Sequence, residues 1–320
     1  EEMTKDLNDN FICIKVDREE RPDIDRIYMN YLTLSTGSGG WPMNVFLTHE
    51  RKPFFGGTYF PPEDRYGRPS FKKVCLQLAQ AWKDKRKEII EYSNKATQAV
   101  QQSLNIPTGK DTIDAKDLMH GVASLEQSFD AEEGGFGQAP KFPPSQSLMF
   151  LLSQCSKNKD PRMLKMLTQT LDKMAMGGMY DQLAGGFHRY STDRFWLVPH
   201  FEKMLYDNGQ LAEVYLDAWL LTGKDYYLKI ATETLDYTIR VMQHKDGGYF
   251  SSLDADSEKI EGKYYTWEMQ QVEDILGTER TVQFAKVYGL SKEGNFDSED
   301  GRRVTILNRH STTLEISEKE

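Results

Sequence analysis

The sequence predicts an α/β domain followed by an all-α run of helical hairpins. Two observations predict it. Residues 11–102 alternate short apolar β-type runs with helical spacing, whereas beyond residue 112 the chain reads as helices punctuated by glycine turns. Those turns also repeat: Glu133-Gly-Gly-Phe136, Ala184-Gly-Gly-Phe187 and Asp246-Gly-Gly-Tyr249, with first glycines 51 and then 62 residues apart. That period fits one antiparallel helix pair per unit, the signature of a helical repeat that closes as a solenoid or an (α/α) toroid.

Taken in order, Phe11–Val16 is an apolar, β-branched run that predicts a buried strand. Ile24–Leu34 has helical spacing, with Ile24, Ile27, Tyr28, Tyr31 and Leu32 on one face. After a turn cluster at Ser35–Gly40, Trp41–Leu47 reads as a second strand, His49–Pro53 as a hairpin turn and Phe54–Tyr59 as a third strand. Gln77–Gln102 reads as one long helix with a charged face. A proline opening a central strand needs an explanation, because it cannot donate to the ladder. Thioredoxin-like folds supply one, a cis-proline just ahead of that strand, and Pro42 in Gly39-Gly40-Trp41-Pro42 stands at that place. A trans proline opening an edge strand is the other reading. The domain is expected over residues 1–107, with Thr108–Asp111 as linker.

The second domain is expected over 112–320. Ile113–Phe129 and Ser145–Cys155 have helical spacing. Asp160-Pro161 is an N-cap followed by proline at the first helical position, opening a helix to about Met176. Pro199 by the same logic opens a helix to Leu221. Lys224–Gln243, Trp267–Leu276 and Glu279–Tyr288 complete the series.

At 320 residues the chain is long enough for two cores. Its formal net charge of -9 argues against a general phosphate-backbone binder, so no nucleic acid is expected as partner. The densest apolar run, Leu148–Leu152, is far short of a membrane span. Cys13, Cys75 and Cys155 form no Cys-x-x-Cys and no metal-ligand spacing, and read as small buried hydrophobes. With no Asn-x-Ser/Thr sequon, they lean towards a reducing, cytoplasmic compartment. No cofactor or metal signature is present.

Polar residues concentrate around Pro199. His200, Glu202, Lys203 and Asp207 sit at the N-terminal end of the expected helix, where the dipole attracts anionic groups. His200, Lys203 and Asp207, spaced i, i+3, i+7, would share a stripe. The preceding loop carries His188, Arg189, Tyr190, Asp193 and Trp196. Aromatic faces beside carboxylates and a basic group suit a polyhydroxylated ligand, with Tyr190 and Trp196 as stacking platforms. The competing reading is a plain connection with Phe187 and Trp196 as core anchors, and an ordinary solvated helix face. Asp254 and Asp256 follow the third glycine turn and supply either an acid or base or an Asx-turn.

Several segments resemble the spermatogenesis-associated protein 20 family, whose bacterial members are described as thioredoxin domain-containing proteins. They are Lys15-Val-Asp-Arg-Glu-Glu-Arg-Pro-Asp-Ile-Asp25, Gly39-Gly-Trp-Pro-Met-Asn-Val45, Gly56-Gly-Thr-Tyr-Phe-Pro-Pro-Glu-Asp64, Ala139-Pro-Lys-Phe-Pro143, Gly186-Phe-His-Arg-Tyr-Ser-Thr-Asp193, Pro199-His-Phe-Glu-Lys-Met-Leu-Tyr-Asp207 and Asp254-Ala-Asp-Ser257. The resemblance implies a thioredoxin-like domain and a six-hairpin (α/α) toroid similar to glycosidases and N-acylglucosamine 2-epimerase. It also implies a Cys-x-x-Cys segment ahead of Glu1 that this chain lacks, and a toroid of which about three hairpins are present, so that both domains read as truncated. The expected function is a carbohydrate-active hydrolase or epimerase with His200, Glu202, Asp207, Asp193 and Asp254 as catalytic groups. His188, Arg189, Tyr190, Trp196, Lys203 and Asp256 would bind substrate. A thiol-disulfide or chaperone-like role in the full-length protein, and a non-catalytic scaffold, are the alternatives.

Overall fold

The computed structural model describes residues 2–65, 67–105, 112–158 and 160–309. The chain divides into two compact units, residues 1–111 and 112–320. The expected linker, Thr108–Asp111, lies outside the described residues.

The first unit runs α1 (Glu2–Asn10), α2 (Pro22–Thr36), β1 (Asn44–Leu47), β2 (Pro53–Gly57), α3 (Phe71–Asp84) and α4 (Arg86–Leu104). β1 and β2 form an antiparallel hairpin pairing Asn44 with Gly57 and Phe46 with Phe55. α2 and α4 pack on β2, burying Tyr31, Leu32 and Val100. Pro42 follows a cis peptide bond, as its place before the strand predicts, and the Ala139–Pro140 bond is also cis.

Three expectations fail here. Phe11–Val16 is not a strand: Ile12 is 92% exposed and Ile14 77%. A strand needs a ladder partner, and among the described residues β1 pairs only with β2. Phe11 alone reaches the hairpin, edge-on to Phe46 with ring centroids 5.5 Å apart. Cys13 is consequently exposed, whereas Cys75 and Cys155 are buried as expected. The long helix is two helices. The first starts at Phe71, where the Ser70 hydroxyl accepts from the Lys73 amide, and the break falls at Lys85, whose backbone leaves the helical region.

The second unit runs α5 (Ala115–Ser128), α6 (Ser145–Lys157), α7 (Pro161–Met176), β3 (Tyr190–Ser191), β4 (Pro199–His200), β5 (Lys203–Met204), α8 (Leu205–Thr222) and α9 (Asp225–Tyr237). After a π-helical turn at Thr238–Met242 come β6 (Ser252–Leu253), β7 (Asp256–Ser257), β8 (Ile260–Glu261), β9 (Thr266–Trp267), α10 (Met269–Leu276), α11 (Thr278–Tyr288), β10 (Phe296–Asp297) and β11 (Arg303–Ile306). Leu148, Leu167, Leu171, Met174, Tyr215, Tyr227 and Ile230, from α6 to α9, build its main core around Phe187 and Trp196. Asp160 caps α7 by accepting from the Arg162 amide, as the Asp-Pro pair predicts.

The three glycine turns follow α5, α7 and α9 and share one construction. Phe129 bridges Phe136, Tyr180 bridges Phe187, and Gln243 bridges Tyr249 across them. In the first two, an aspartate opens the turn and a buried lysine closes it. Asp130 Oδ1 accepts from the Glu132 and Glu133 amides, and Asp181 Oδ1 from Leu183 and Ala184. Lys141 donates to Asp130 at 2.9 Å and to the Gly134 carbonyl at 2.8 Å. Lys203 donates to Asp181 at 2.8 Å and to the Gly185 carbonyl at 3.0 Å. Each lysine precedes the next helix, and each is paired with the following repeat: Lys141 bridges Ser191, and Lys203 pairs with Leu253. In the third turn His244 stands where the aspartate would be, its Nδ1 accepting from the Asp246 amide.

Substitution in the turns tests this construction. Lys203→Met leaves the Asp181 carboxylate buried without its counter-charge. It should cost about 3–5 kcal/mol in chemical denaturation, and Lys141→Met a comparable amount. Gly185 has φ +81 and a Cβ there would stand 2.6 Å from the Glu233 carbonyl oxygen, whereas Gly247 (φ +87) has open space around it. Gly247→Ala should therefore cost only the roughly 1–3 kcal/mol of the left-handed backbone, and Gly185→Ala distinctly more, measured by the same denaturation.

Candidate functional site

The expected helix from Pro199 begins only at Leu205. The residues between are held extended by two pairings, His200 with Tyr190 and Lys203 with Leu253. Side chains in this segment therefore alternate. Phe201 and Lys203 point inward and are buried, while His200 and Glu202 are partly exposed. The i, i+3, i+7 stripe of His200, Lys203 and Asp207 does not form.

The outward residues assemble with others into a charged cluster. His200 Nδ1 lies 2.6 Å from Glu261 Oε1. A carboxylate at this distance accepts, so Nδ1 carries a proton. Nε2 lies 3.6 Å from Glu202 Oε2. Glu202 in turn accepts from Arg189 Nη1 at 2.7 Å, and the buried Nε of Arg189 has no partner. Tyr190 stacks on His200 with ring centroids 5.1 Å apart, and Phe142 packs on Tyr190 at 4.7 Å. Asp207, in the first turn of α8, completes the group. Burial pushes its pKa up to about 7, with Arg189 pulling it down and the negative charge of Glu202 adding to the rise. The cluster thus holds a histidine oriented by one carboxylate and, coupled to Arg189 and Glu202, a carboxyl group that keeps a proton near neutrality, the separation of roles that acid–base chemistry requires.

The structure brings together His200, Glu202, Asp207, Arg189 and Tyr190 from the sequence reading and puts the remaining residues elsewhere. Trp196 is no platform: it is fully buried at φ 63, and its indole N–H donates to the Glu133 carbonyl. Lys203 is spent on Asp181. Asp193 closes its own loop, accepting from the Ser191 hydroxyl and the Phe195, Leu197 and Val198 amides. Asp254 accepts from the Asp256 amide in a turn, and both are exposed. His188 is buried, with Nδ1 2.9 Å from the Phe201 carbonyl.

Glu261 is the member that sequence reasoning missed. It arrives from β8, 61 positions beyond His200, and the one local hint is Gly262 after it. A Cβ at Gly262 would stand 2.4 Å from the Phe201 ring, so the chain passes too close there for another residue.

Asp207 gives the site a pH signature. Its carboxyl ionises near pH 4 in an unfolded chain and near 7 in the folded one. Between these values the folded chain keeps a proton that the unfolded chain has lost, so this group's contribution to stability declines as pH rises through the window. Melting temperatures measured from pH 5 to 8 should fall more steeply for the native sequence than for Asp207→Asn.

Residues 1–101 match the family Thioredox_DsbH, described as protein of unknown function, DUF255. Mouse spermatogenesis-associated protein 20 is 41% identical over 93% of this chain and 40% of its own length. The human protein of that name is 38% identical over 99% of this chain and 43% of its length. The chain spans about two fifths of the length of these relatives. A solved structure of cellobiose 2-epimerase from Spirochaeta thermophila superposes with a TM-score of 0.38 at 18% identity, covering 43% of this chain and 39% of that one. Over nearly its whole length the chain is similar to spermatogenesis-associated protein 20, and within residues 1–101 it carries the DUF255 sequence.

Proposed function

We infer that the His200 cluster is an acid–base site acting on a carbohydrate, and that its chemistry is proton transfer at carbon, as in an epimerase or isomerase. The observation that carries this reading is the pairing of two unlike groups in one cluster. The His200 ring is fixed through Nδ1 by Glu261, and Asp207 holds a proton near neutrality. In this reading Nε2 of His200 takes a proton from a carbon beside a sugar carbonyl, and the Asp207 carboxyl hydrogen-bonds or protonates the developing oxyanion. Arg189, with a buried N–H unpartnered, has a donor to offer the same oxygen. Half-exposed rings suit the C–H face of a pyranose: Phe142, packed on Tyr190, is 54% exposed, and Tyr206, hydrogen-bonded to Arg189, is 48% exposed.

A histidine–carboxylate pair is better matched to proton transfer than to glycoside hydrolysis, which works through two carboxyl groups across a glycosidic bond. A thiol role for Cys75 and Cys155 is disfavoured by their setting. Burial, with Cys13 adding to it, pushes the Cys75 thiol up to about 11, and burial raises Cys155 as well, so neither is a ready thiolate.

The test is a thermal-shift panel of free aldoses, ketoses and N-acylated sugars, followed by NMR of any stabilising sugar in D2O. A sugar that stabilises the native sequence but neither His200→Ala nor Asp207→Asn, and exchanges a carbon-bound proton for deuterium, is the expected result. Loss of either group should slow that exchange by about 10²–10⁴-fold. Stabilisation by no sugar in the panel would overturn the reading.

A further inference from the structure

An opening lies in the second unit, apart from the His200 cluster. It is a cleft of about 430 Å³ bordered by Tyr180, Asp181, His188, Tyr264, Tyr265 and Trp267, and none of Arg189, His200, Glu202, Asp207 or Glu261 lines it. That volume accommodates a single-ring ligand.

His188 is the informative wall residue. It is only 2% exposed, and its Nδ1 lies 2.9 Å from the Phe201 carbonyl oxygen. A carbonyl accepts, so the proton is on Nδ1 and the lone pair is on Nε2. Burial, with the charge of Lys203 beside it, pushes the ring's pKa down to about 3, so it is a neutral acceptor at any ordinary pH. Phe201 and Tyr265 hold the imidazole edge-on, with centroids 5.3 and 4.7 Å away. Among the described residues no hydrogen bond reaches Nε2. His188 lines the cleft, so a bound molecule that brings a donor can meet this acceptor.

The rest of the lining limits what that something is. Asp181 is neutralised by Lys203, and Glu258 is paired with Lys263. The Gln182 amide N–H is committed to the Ala175 and Gly177 carbonyls. The remaining wall is mainly apolar or aromatic, including Phe201, Trp267 and Ile306. Tyr264 stands at the mouth, 70% exposed and edge-on to Tyr265. Nothing here calls for a charged ligand, whereas a ring with one apolar face and a hydroxyl donor meets both His188 and the aromatic wall.

We propose that this cleft is a separate binding site for an uncharged, hydroxyl-bearing ring, whose O–H donates to His188 Nε2 while its apolar face lies against Tyr264 and Tyr265. A sugar and a phenol share that chemistry, and the test distinguishes them. Protein labelled with 15N-histidine is titrated with methyl β-D-glucoside and with phenol. Anisole, which has no hydroxyl donor, and benzoate, which is charged, serve as controls. The six imidazoles are followed in long-range 1H–15N spectra. Displacement of the His188 Nε2 resonance by the glucoside or by phenol, with His200 unmoved, supports the site and names its ligand. Tyr264→Ser, at an exposed position, should weaken that binding about fivefold. An unmoved His188, an equal response to anisole or benzoate, or displacement of His200 in its place would overturn the proposal. Because the two histidines report separately, failure here is distinguishable from failure of the acid–base reading.

Discussion

The second unit depends on a lysine buried against an aspartate inside a glycine turn. Lys203 is inaccessible to water, so its ammonium must find a full set of acceptors within the fold. It finds them in Asp181 and the Gly185 carbonyl, and its charge also sits 4.0 Å from the centre of the Tyr237 ring. To reach that place the chain before α8 must run extended, and an extended chain sends alternate side chains to opposite sides. Anchoring Lys203 inward is thus what turns His200 and Glu202 outward. Lys141 makes the same anchorage one repeat earlier, where Arg194 adds a second cation to Asp130 and holds that carboxyl far below its usual range.

The same alternation sorts the two histidines. His188 looks inward, is neutral and is packed among rings. His200, on the strand paired with β3, looks outward and is tied to a carboxylate. Two residues of one type, twelve positions apart in the sequence, acquire opposite electrostatic settings from the direction in which the backbone presents them. Asp207 and Asp193 diverge similarly: one is desolvated near like charge, the other saturated by the amides of its own loop.

Features set by neighbours along the chain are legible in the residues themselves. Asp160-Pro161 marks the start of α7, the paired glycines mark the repeat, and Pro42 marks its place ahead of a strand. What is not legible depends on partners far along the chain. Pro199 looks like a helix opener, but strand pairing with Tyr190 and Leu253 outweighs that local preference. Glu261 has only the glycine after it as a local mark, and its pairing with His200 is set 61 positions away. Trp196 carries the same ring whether it stacks on a ligand or fills a core, and only its neighbours decide. Phe11–Val16 has strand composition, yet composition cannot supply the missing ladder partner.

The pairing of each lysine segment with the repeat after it ties the repeats of the second unit together. The anchorage at Lys141 is completed through Ser191, and that at Lys203 through Leu253, so each turn is closed by chain that follows it. The third turn has a histidine in place of the aspartate and open space around its glycines. The lysine pairings are mutual, as in the reciprocal amide–carbonyl bonds of Lys141 and Ser191, so loss of order in either repeat removes support from the other. Cooperativity in this domain is therefore carried between neighbouring repeats, as in a chain of coupled units.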